Sequence, residues 1–265
     1  MPDNSVISGL TDLTDEREAL TDVWLVLPTY NEAENLALIT RAALDALPAK
    51  ARILIVDDRS PDGTGANADG LALNEVRIEV LHRVVREGLG PAYLAGFEYA
   101  LRSGARFVCQ MDADFSHDPQ ALPALLRGLA DADVVLGSRY VAGGSVAGWG
   151  ALRRLISRAG SKYSQFVLRL PIHDPTGGFK AFRGEVLKEL SAGEIAAQGY
   201  VFQIEMTYRA WKRGYRISEL PITFRERQAG KSKMSIGIAL EATWRVPLLR
   251  WRLRGVRSGR SQSIP

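Results

Sequence analysis

Two aspartates, Asp112 and Asp114, follow an apolar run at residues 107–111 with one residue between them. The run predicts a buried strand, so both carboxylates should lie on the turn at its end. Carboxylates at positions i and i+2 of such a turn can converge on one hard cation, Mg²⁺ or Mn²⁺, that keeps open positions for a diphosphate. An isolated pair of this kind also occurs as a solvated acidic turn, so its surroundings must decide between the two interpretations.

The residues after the pair also allow two interpretations. Ser116 and His117 could contribute to a cation site. Equally, residues 116–118 could cap a helix that begins at Pro119, because short polar side chains accept hydrogen bonds from free N–H groups at a helix start.

Polar residues follow the other apolar runs of the first half as well. Strands are predicted at residues 23–27, 53–56, 76–81, 107–111 and 134–136, with helical spacing between them. This alternation predicts an α/β fold with a mostly parallel, Rossmann-like sheet flanked by helices. Ligands bind at the carboxyl ends of such strands. Four strand ends carry polar clusters, at residues 28–32, 57–58, 112–114 and 138–139.

Three other features of the first half have local interpretations. Asn31 is predicted to cap a helix, with Glu34 in capping-box position. Asp57-Asp58 can accept hydrogen bonds from a base or ribose, and the turn residues that follow it indicate a turn at the same place. The segment 88–90, Gly-Leu-Gly, either presents N–H groups to a phosphate or is a plain loop before a helix that ends at Gly104.

The second half is predicted to complete the domain and to add a helix. A glycine-rich loop at 141–150 precedes a basic helix at 153–170, a turn at 174–178, a strand at 179–182, a helix at 202–211 and a strand at 215–224. We expect a disordered segment at 1–22, a catalytic domain at 23–233, an amphipathic helical segment at 234–256 and a disordered tail at 257–265. Trp244, Trp251 and nearby arginines favour a helix that lies at a membrane interface or packs on the core, with Pro247 at its start or at a kink.

The composition excludes several classes. The chain has 265 residues, a net charge of +4 and one cysteine, Cys109, so it contains no intrachain disulfide. With three histidines, a Cys/His zinc site is disfavoured. No run of about 18 apolar residues predicts a transmembrane helix, and the start lacks the blocks of a signal peptide. Nucleic acid is disfavoured because the basic residues form no recognisable module with aromatics.

A set of basic residues in the second half suits phosphate groups. Arginine binds phosphate through two parallel hydrogen bonds, although such residues can equally form a solvated face. The set comprises Arg139, Arg153, Arg154, Arg158, Arg225, Arg227, Lys231 and Lys233.

Together these residues resemble the polyprenyl-phosphate (dolichyl-phosphate) mannosyltransferases of glycosyltransferase family 2. The matching segments run in family order at residues 27–32, 56–64, 88–90, 111–117, 137–140, 174–182 and 227–233. The first half alone indicates only family 2. The segment 174–182 and the Ser-His after the aspartates indicate the lipid-phosphate branch.

The resemblance implies a GT-A fold, GDP-mannose as donor and Mg²⁺ or Mn²⁺ as cofactor. It gives a catalytic role to Asp112, Asp114 and Arg139, and a metal-binding role to both aspartates and Ser116. The nucleoside would be held by Pro28, Tyr30, Glu32, Val56 and Asp58. The rest of the donor would contact Asp112, Ala113, Asp114, Arg139, Arg227 and Lys233, and the acceptor phosphate would contact Arg153 and Ser157.

This chain departs mildly from the family pattern. Arg59 stands where many relatives carry glycine or asparagine, and Ser116 stands where some use glutamine as a metal contact. Many relatives also carry C-terminal transmembrane helices, which the sequence does not predict here.

The implied function is inverting transfer of mannose from GDP-mannose to a polyprenyl phosphate. We expect a cytoplasmic protein, peripheral on the inner face of the membrane, that contacts the membrane surface and can have a membrane-protein partner. The alternatives are a polyprenyl-phosphate glucosyltransferase that uses UDP-glucose, a family 2 enzyme with a sugar acceptor, and a non-catalytic protein that binds nucleotide-sugars.

Overall fold

The apolar runs of the sequence form a seven-stranded sheet. The computed structural model describes residues 21–191, 195, 199–226 and 236–255. The sheet contains β1 (Val23–Thr29), β2 (Arg52–Asp57), β3 (Ile78–His82), β4 (Phe107–Gln110), β5 (Val134–Ser138), β7 (Lys180–Arg183) and β8 (Ile217–Pro221). A two-stranded sheet pairs β6 (Ser145–Val146) with β9 (Thr223–Phe224).

Eight helices of the described residues cover and extend the sheet. They are α1 (Leu36–Ala46), α2 (Thr64–Asn74), α3 (Leu89–Arg102), α4 (Leu122–Gly128), α5 (Ala151–Leu168), α6 (Gly184–Ser191), α7 (Gly199–Lys212) and α8 (Ile236–Arg252). A short 3₁₀ turn at Pro119–Ala121 precedes α4. None of these helices is long and apolar enough to cross a membrane.

The strand order is β3-β2-β1-β4-β7-β5-β8, and all neighbours are parallel except those of β7. The predicted mostly parallel sheet flanked by helices is therefore confirmed. Strand β7 runs antiparallel to both β4 and β5, with Lys180 opposite Gln110 and Leu136. Its first residue, rather than its last, thus lies at the carboxyl edge of the parallel strands. This reversal brings the segment before β7 to the edge where ligands bind.

Both faces of the sheet are buried. Residues of β1 alternate between two apolar clusters, with Val26 in one and Leu25 in the other. Helix α3 lies very close to one face, since a Cβ added at Gly96 would be 2.5 Å from a methyl carbon of Val26. Such dense packing on both faces holds the strand ends, and the polar residues that follow them, in fixed positions.

Several local predictions were wrong or shifted. Asn31 does not cap a helix, because it adopts a left-handed conformation with φ 57° and its N–H donates to Ser60 Oγ. Helix α1 begins at Leu36, after the N-cap residue Asn35, four residues later than a cap at Asn31 would place it. Strand β3 begins at Ile78, two residues later than predicted. The glycine-rich loop at 141–150 contains β6, and the predicted strand at 215–224 is divided at Ile222, whose N–H donates to the carbonyl of Ser138.

Helix α8 continues through Pro247 and buries Val246 and Leu249, so it packs on the core with one side; Leu253, directly after the helix, is also buried. Its tryptophans are exposed on another side. The two segments predicted to be disordered lie almost wholly outside the described residues.

Candidate active site

The Asp112–Asp114 turn lies at the carboxyl edge of the sheet, directly after β4. Phe115 adopts a left-handed conformation with φ 59°, which reverses the chain after the two aspartates. Asp114 is buried, and its Oδ1 accepts a hydrogen bond of 3.0 Å from the N–H of Ser116. The turn is therefore ordered by its own backbone and is not a solvated acidic turn.

Tyr93 of α3 holds the other carboxylate. Its hydroxyl donates a hydrogen bond of 2.9 Å to Asp112 Oδ1. The ring is fully buried and stacks on Phe97 and Phe202. Burial, and then the negative charge of Asp112, raise the pKa of Tyr93 well above its ordinary value. The phenol therefore stays protonated and donates at any physiological pH.

His117 is a buried residue that contacts the backbone of the turn. Its Nδ1 accepts a long hydrogen bond of 3.5 Å from the N–H of Asp112, and its ring stacks on Phe179. Burial lowers the pKa of His117, although the nearby carboxylates oppose that shift. A neutral ring is also what an accepting Nδ1 requires. His117 therefore supports the turn, and Asp118, which accepts from the N–H of Gln120, caps the 3₁₀ turn.

The donor set at this turn fits a divalent metal. The hydroxyl oxygen of Ser116 is buried and has no hydrogen-bond partner among the described residues. It belongs to the same short turn as the carboxylates of Asp112 and Asp114. In the described ranges no cluster of three or more His, Cys, Asp or Glu side chains could hold a metal. Two carboxylates with open positions suit Mg²⁺ or Mn²⁺, which commonly complete their shell with water and substrate phosphates.

The segment at residues 174–179, directly before β7, lies beside this turn. We call it, with the Arg139 side chain that it binds, the floor of the site. A Cβ added at Gly178 would lie 3.3 Å from Asp112 Oδ2 and 3.6 Å from Gln203 Nε2. Gln203 Oε1 accepts hydrogen bonds from Gln110 Nε2 and from Lys180 Nζ, at 2.7 and 2.9 Å. Burial lowers the pKa of Lys180 to about 7. A connected polar network thus lies directly under Asp112.

Arg139, which follows β5, is joined to the same segment. Its Nε and Nη2 donate to the two carboxylate oxygens of Asp174, each at 2.7 Å, and Nη2 also donates to Thr176. Burial alone raises the pKa of Asp174, but the charge and hydrogen bonds of Arg139 outweigh it, so the pKa is lowered. Arg139, which was predicted to contact the nucleotide-sugar donor, is therefore a buried arginine that Asp174 fixes at the site.

The predicted nucleoside residues gather at the ends of β1 and β2. Pro28 and Val56 are partners across these strands and are buried. Glu32 donates its N–H to Thr64 Oγ1 and accepts from Asn35 Nδ2. The guanidinium of Arg86 lies over the ring of Tyr30, 3.7 Å from its centroid.

Asp58 orders the loop after β3. It accepts from Arg83 Nη1 at 2.6 Å and from the N–H of Gly88 at 2.8 Å. The N–H of Gly88 is therefore directed at a carboxylate rather than at a phosphate site, which favours the interpretation of residues 88–90 as a loop before a helix. Asp57 accepts from the N–H of Ser60, as the predicted turn requires.

Arg153 and Ser157, the predicted acceptor-phosphate residues, lie one turn apart on α5. Arg153 donates to Glu226 Oε1 at 2.8 Å and lies over the ring of Trp149. Ser157 is buried and accepts a hydrogen bond of 2.7 Å from Tyr140 OH. Tyr140 follows Arg139, so this part of α5 is connected to the floor of the site.

The structure adds residues that the sequence analysis did not assign. Tyr93 and Gln203 lie on helices whose apolar spacing gave no signal of a site. Asp174 and Lys180 lie within the segment that carries the resemblance, and this was the only signal available for them. Two residues predicted to contact the nucleotide-sugar donor, Arg227 and Lys233, lie outside the described residues, and so does Lys231.

Comparisons with known proteins agree with this geometry. The model of the family "Glycosyl transferase family 2" matches residues 24–191. A polyprenol monophosphomannose synthase from Mycolicibacterium smegmatis is 47% identical over 87% of this chain and 87% of its own length. An undecaprenyl-phosphate mannosyltransferase from Micrococcus luteus is 46% identical over 87% of this chain and 94% of its own.

Solved structures share the fold at low identity. Glucosyl-3-phosphoglycerate synthase from Mycobacterium tuberculosis, in complex with Mn²⁺, UDP and phosphoglyceric acid, is 18% identical with a TM-score of 0.67, over 92% of this chain and 82% of that one. A mannosyltransferase from Pyrobaculum calidifontis, in complex with GDP-Man and Mn²⁺, is 20% identical with a TM-score of 0.60, over 91% and 66%. The GT-A fold is thus confirmed, and the chain belongs to glycosyltransferase family 2.

Proposed function

We propose that this protein transfers mannose from GDP-mannose to a polyprenyl phosphate, and that the products are polyprenyl phosphate mannose and GDP. The observation that carries the proposal is the Asp112–Asp114 turn beside the buried Arg139–Asp174 pair. Two relatives at 46% and 47% identity are named as mannosyltransferases for lipid phosphates, and they match almost the whole chain. A structure of the same fold in complex with GDP-Man supports the choice of donor.

The donor would bind along the carboxyl edge of the sheet. Pro28, Tyr30, Glu32, Val56 and Asp58 would hold the nucleoside, and Ala113 would lie between the carboxylates that hold the diphosphate. Asp112, Asp114 and Ser116 would hold Mg²⁺ or Mn²⁺, and two solved structures of this fold contain Mn²⁺. When bound, the cation would neutralise the charge that develops on the leaving diphosphate.

Positive side chains would bind the remaining phosphate charge. Arg139 would present its charge from the floor, because Asp174 fixes the guanidinium next to the turn. Arg227 and Lys233 are proposed as further contacts of the donor. Fixed charges of this kind stabilise a transition state without having to reorganise during the reaction.

The acceptor phosphate would bind at Arg153 and Ser157 and react in a single displacement. A phosphate oxygen attacks the anomeric carbon, the new C–O bond forms as the bond to the diphosphate breaks, and the configuration inverts. A phosphomonoester is largely ionised near neutral pH, since its second pKa is about 6. The nucleophile is therefore already charged and needs no strong base. This agrees with His117, which is buried and accepts from the backbone of Asp112.

The reaction is proposed to occur at the inner membrane surface. The apolar tail of a polyprenyl phosphate stays in the bilayer, so only its phosphate can reach the edge of the sheet. A membrane-protein partner that retains the enzyme there is part of the same proposal.

The test is transfer of label from GDP-mannose or UDP-glucose to a polyprenyl phosphate with Mg²⁺ or Mn²⁺. We expect labelled lipid from GDP-mannose, none from Asp112→Asn, and normal transfer from Asp131→Asn, a matched change at an exposed aspartate. Full transfer by Asp112→Asn would reject the site. Transfer from UDP-glucose alone would favour the glucosyltransferase, and donor binding without any transfer would favour a binding protein.

A further inference from the structure

Helix α5 has its polar side buried and its apolar side exposed. The buried residues are Ser157, Ser161, Ser164 and Leu168. The exposed large apolar residues are Leu152, Leu155, Ile156 and Phe166, of which Leu152 is 71% and Phe166 85% exposed. A surface helix of a globular protein normally has the opposite arrangement. The apolar side of α5 is therefore not explained by packing on this chain's core.

Four exposed residues and the half-buried Tyr163, which packs partly on the core, form one continuous stripe. Leu152, Ile156, Ala159, Tyr163 and Phe166 follow one another at steps of three or four residues, which places them on one side of a helix. On an ideal helix this stripe is roughly opposite the buried serines. We call these residues, with Leu155, the apolar stripe of α5.

The serine side faces the active site. Ser157 accepts from Tyr140 OH, and the hydroxyls of Ser161 and Thr176 are 3.2 Å apart. Thr176 in turn belongs to the Arg139–Asp174 group. One helix thus contacts the site with its polar side and presents apolar residues on its other side.

Positive charges flank the apolar stripe. Arg154, Arg158 and Lys162 are exposed and spaced four residues apart, so they form one row on the helix, and Arg158 and Lys162 are the members of that row beside the stripe. Helix α5 contains no aspartate or glutamate. Arg153, a proposed contact of the acceptor phosphate, lies on the same helix next to Leu152. An apolar stripe with a basic edge is complementary to an anionic bilayer surface, whose acyl chains and headgroups match the two parts.

Helix α8 packs beside α5 and extends this surface. Tyr163 OH donates to the carbonyl of Thr243, and Arg250 donates to the carbonyl of Val167. Trp244 and Trp251 are 56% and 64% exposed. Tryptophan is enriched where protein meets the headgroup region of a membrane.

We propose that the apolar stripe of α5 is the surface with which this protein docks on an anionic phospholipid bilayer. The choice of a bilayer as the occupant rests on the proposed lipid acceptor. Docking through α5 would bring Arg153, which lies between the stripe and the serine side, close to a phosphate whose lipid tail remains in the membrane. The stripe thereby selects phosphates that are anchored in a bilayer over those free in solution.

The experiment compares two triple variants of the full chain. One is Leu152→Ser/Leu155→Ser/Phe166→Ser, on the stripe. The matched control is Leu38→Ser/Leu73→Ser/Val76→Ser, which removes apolar side chains of 65%, 88% and 86% exposure from other surfaces. Both should keep the thermal midpoint of the parent, because all six side chains are exposed. Binding is measured by flotation with vesicles of phosphatidylcholine mixed with phosphatidylglycerol.

We expect the stripe variant to bind vesicles at least about tenfold more weakly, because buried methylenes contribute most of the partitioning energy. The control should bind like the parent. Parent binding should weaken on vesicles of phosphatidylcholine alone, and when NaCl is raised from about 50 mM to about 500 mM. A stripe variant that binds as well as the control would overturn the proposal. A parent that ignores vesicles but forms dimers that the stripe variant lacks would overturn it as well, in favour of a second copy of the chain.

Transfer assays separate this proposal from the proposed function. The stripe variant should lose transfer to a long polyprenyl phosphate in vesicles and keep transfer to a short, water-soluble isoprenyl phosphate. Equal loss with both acceptors would contradict a docking role for the stripe. A parent that binds vesicles through the stripe but transfers to neither acceptor would reject the proposed function and leave the docking surface supported.

Discussion

Arg139 and Arg153 are both proposed to meet phosphate groups, yet they lie in very different surroundings. Arg139 is at the floor of the site, where its side chain is 6% exposed and Asp174 is fully buried. Arg153, on α5, lies in a more open position: its side chain is 27% exposed and that of its partner Glu226 is 49% exposed. We call the position of this pair the rim of the site. Both make hydrogen bonds of ordinary length to a carboxylate. The difference therefore lies in how deeply each pair is buried.

That difference indicates which contacts are fixed and which can exchange. A buried pair cannot lose one partner without leaving an uncompensated charge, so the floor should keep its geometry through a reaction cycle. An exposed pair is screened by water and contributes little energy. Glu226 can therefore give way to an incoming phosphate, whereas Asp174 should remain in place. Changes at the floor and at the rim should differ accordingly in their effects.

The largest effect is expected at the floor, from Asp174→Asn. This change leaves the charge of Arg139 buried without its counter-charge, and removing one partner of such a pair costs about 3–5 kcal/mol. The free energy of unfolding, measured with urea near neutral pH, should fall by that amount. Because folding lowers the pKa of Asp174, its contribution is present above the ordinary value of 3.8 and is lost as the pH falls through the folded value.

A second variant isolates the buried charge as the cause. Arg139→Met added to Asp174→Asn removes the unpaired charge, so the double variant should be more stable than Asp174→Asn alone. A loss below about 1 kcal/mol in the single variant would mean that the floor pair is no more fixed than an exposed one.

The next effect concerns the buried amine under Asp112. Lys180 has its pKa lowered by burial from 10.5 to about 7. Between these values the unfolded chain binds a proton that the folded chain does not, so the free energy of unfolding should rise with pH across this window. The Lys180→Met variant lacks this proton. The stability of the parent relative to Lys180→Met should therefore increase from pH 7 upward and stay constant below it.

Urea unfolding at a series of pH values measures this difference. Lys188→Met, a matched change at an exposed lysine of α6, should show no such dependence. A constant difference between the parent and Lys180→Met from about pH 6 to about pH 9 would mean that the amine stays charged in the folded protein.

A smaller effect is expected from Tyr93→Phe, which keeps the buried ring and removes the hydroxyl that donates to Asp112. Loss of a group that orients a metal ligand typically costs about 10–100-fold in metal affinity or activity. We expect Mn²⁺ affinity, measured by calorimetry, to fall about tenfold at the low end of that range. Tyr99→Phe is the control, because Tyr99 is on the same helix but donates to Glu79. Equal Mn²⁺ affinity in both variants would exclude Tyr93 as a positioning residue.

The floor and the rim also differ in how far the sequence predicted them. The strand-end positions of Asp58, Asp112 and Arg139 follow from apolar runs, because parallel strands all end at one edge. The contact of Tyr93 with Asp112 joins residues 19 positions apart, and that of Arg139 with Asp174 joins residues 35 apart. Such contacts depend on how α3 packs and on the reversed direction of β7, and neither leaves a periodic signal.

Helix α5 shows the same limit in another form. Its basic character was predicted, but not which side would be buried. Ser157 and Ser161 are buried where Tyr140 and Thr176 give their hydroxyls partners, and these contacts exist only in the folded chain. The hydroxyl of Ser164 donates to the carbonyl of Gly160 in the same helix. The apolar stripe is exposed as a consequence, so periodicity alone would have assigned the wrong side to the core.

The smallest effect is expected at the rim, from Glu226→Gln, which weakens the pair with Arg153. The free energy of unfolding should change by less than about 1 kcal/mol, as for other exposed pairs. If Arg153 exchanges Glu226 for the acceptor phosphate, the KM for that acceptor should fall about twofold while kcat stays constant, because rim charges act mainly on encounter. Glu185→Gln, at an exposed residue of α6, should leave KM unchanged. A rise in KM would mean that Glu226 positions Arg153 for the phosphate, and the rim would then be as preorganised as the floor.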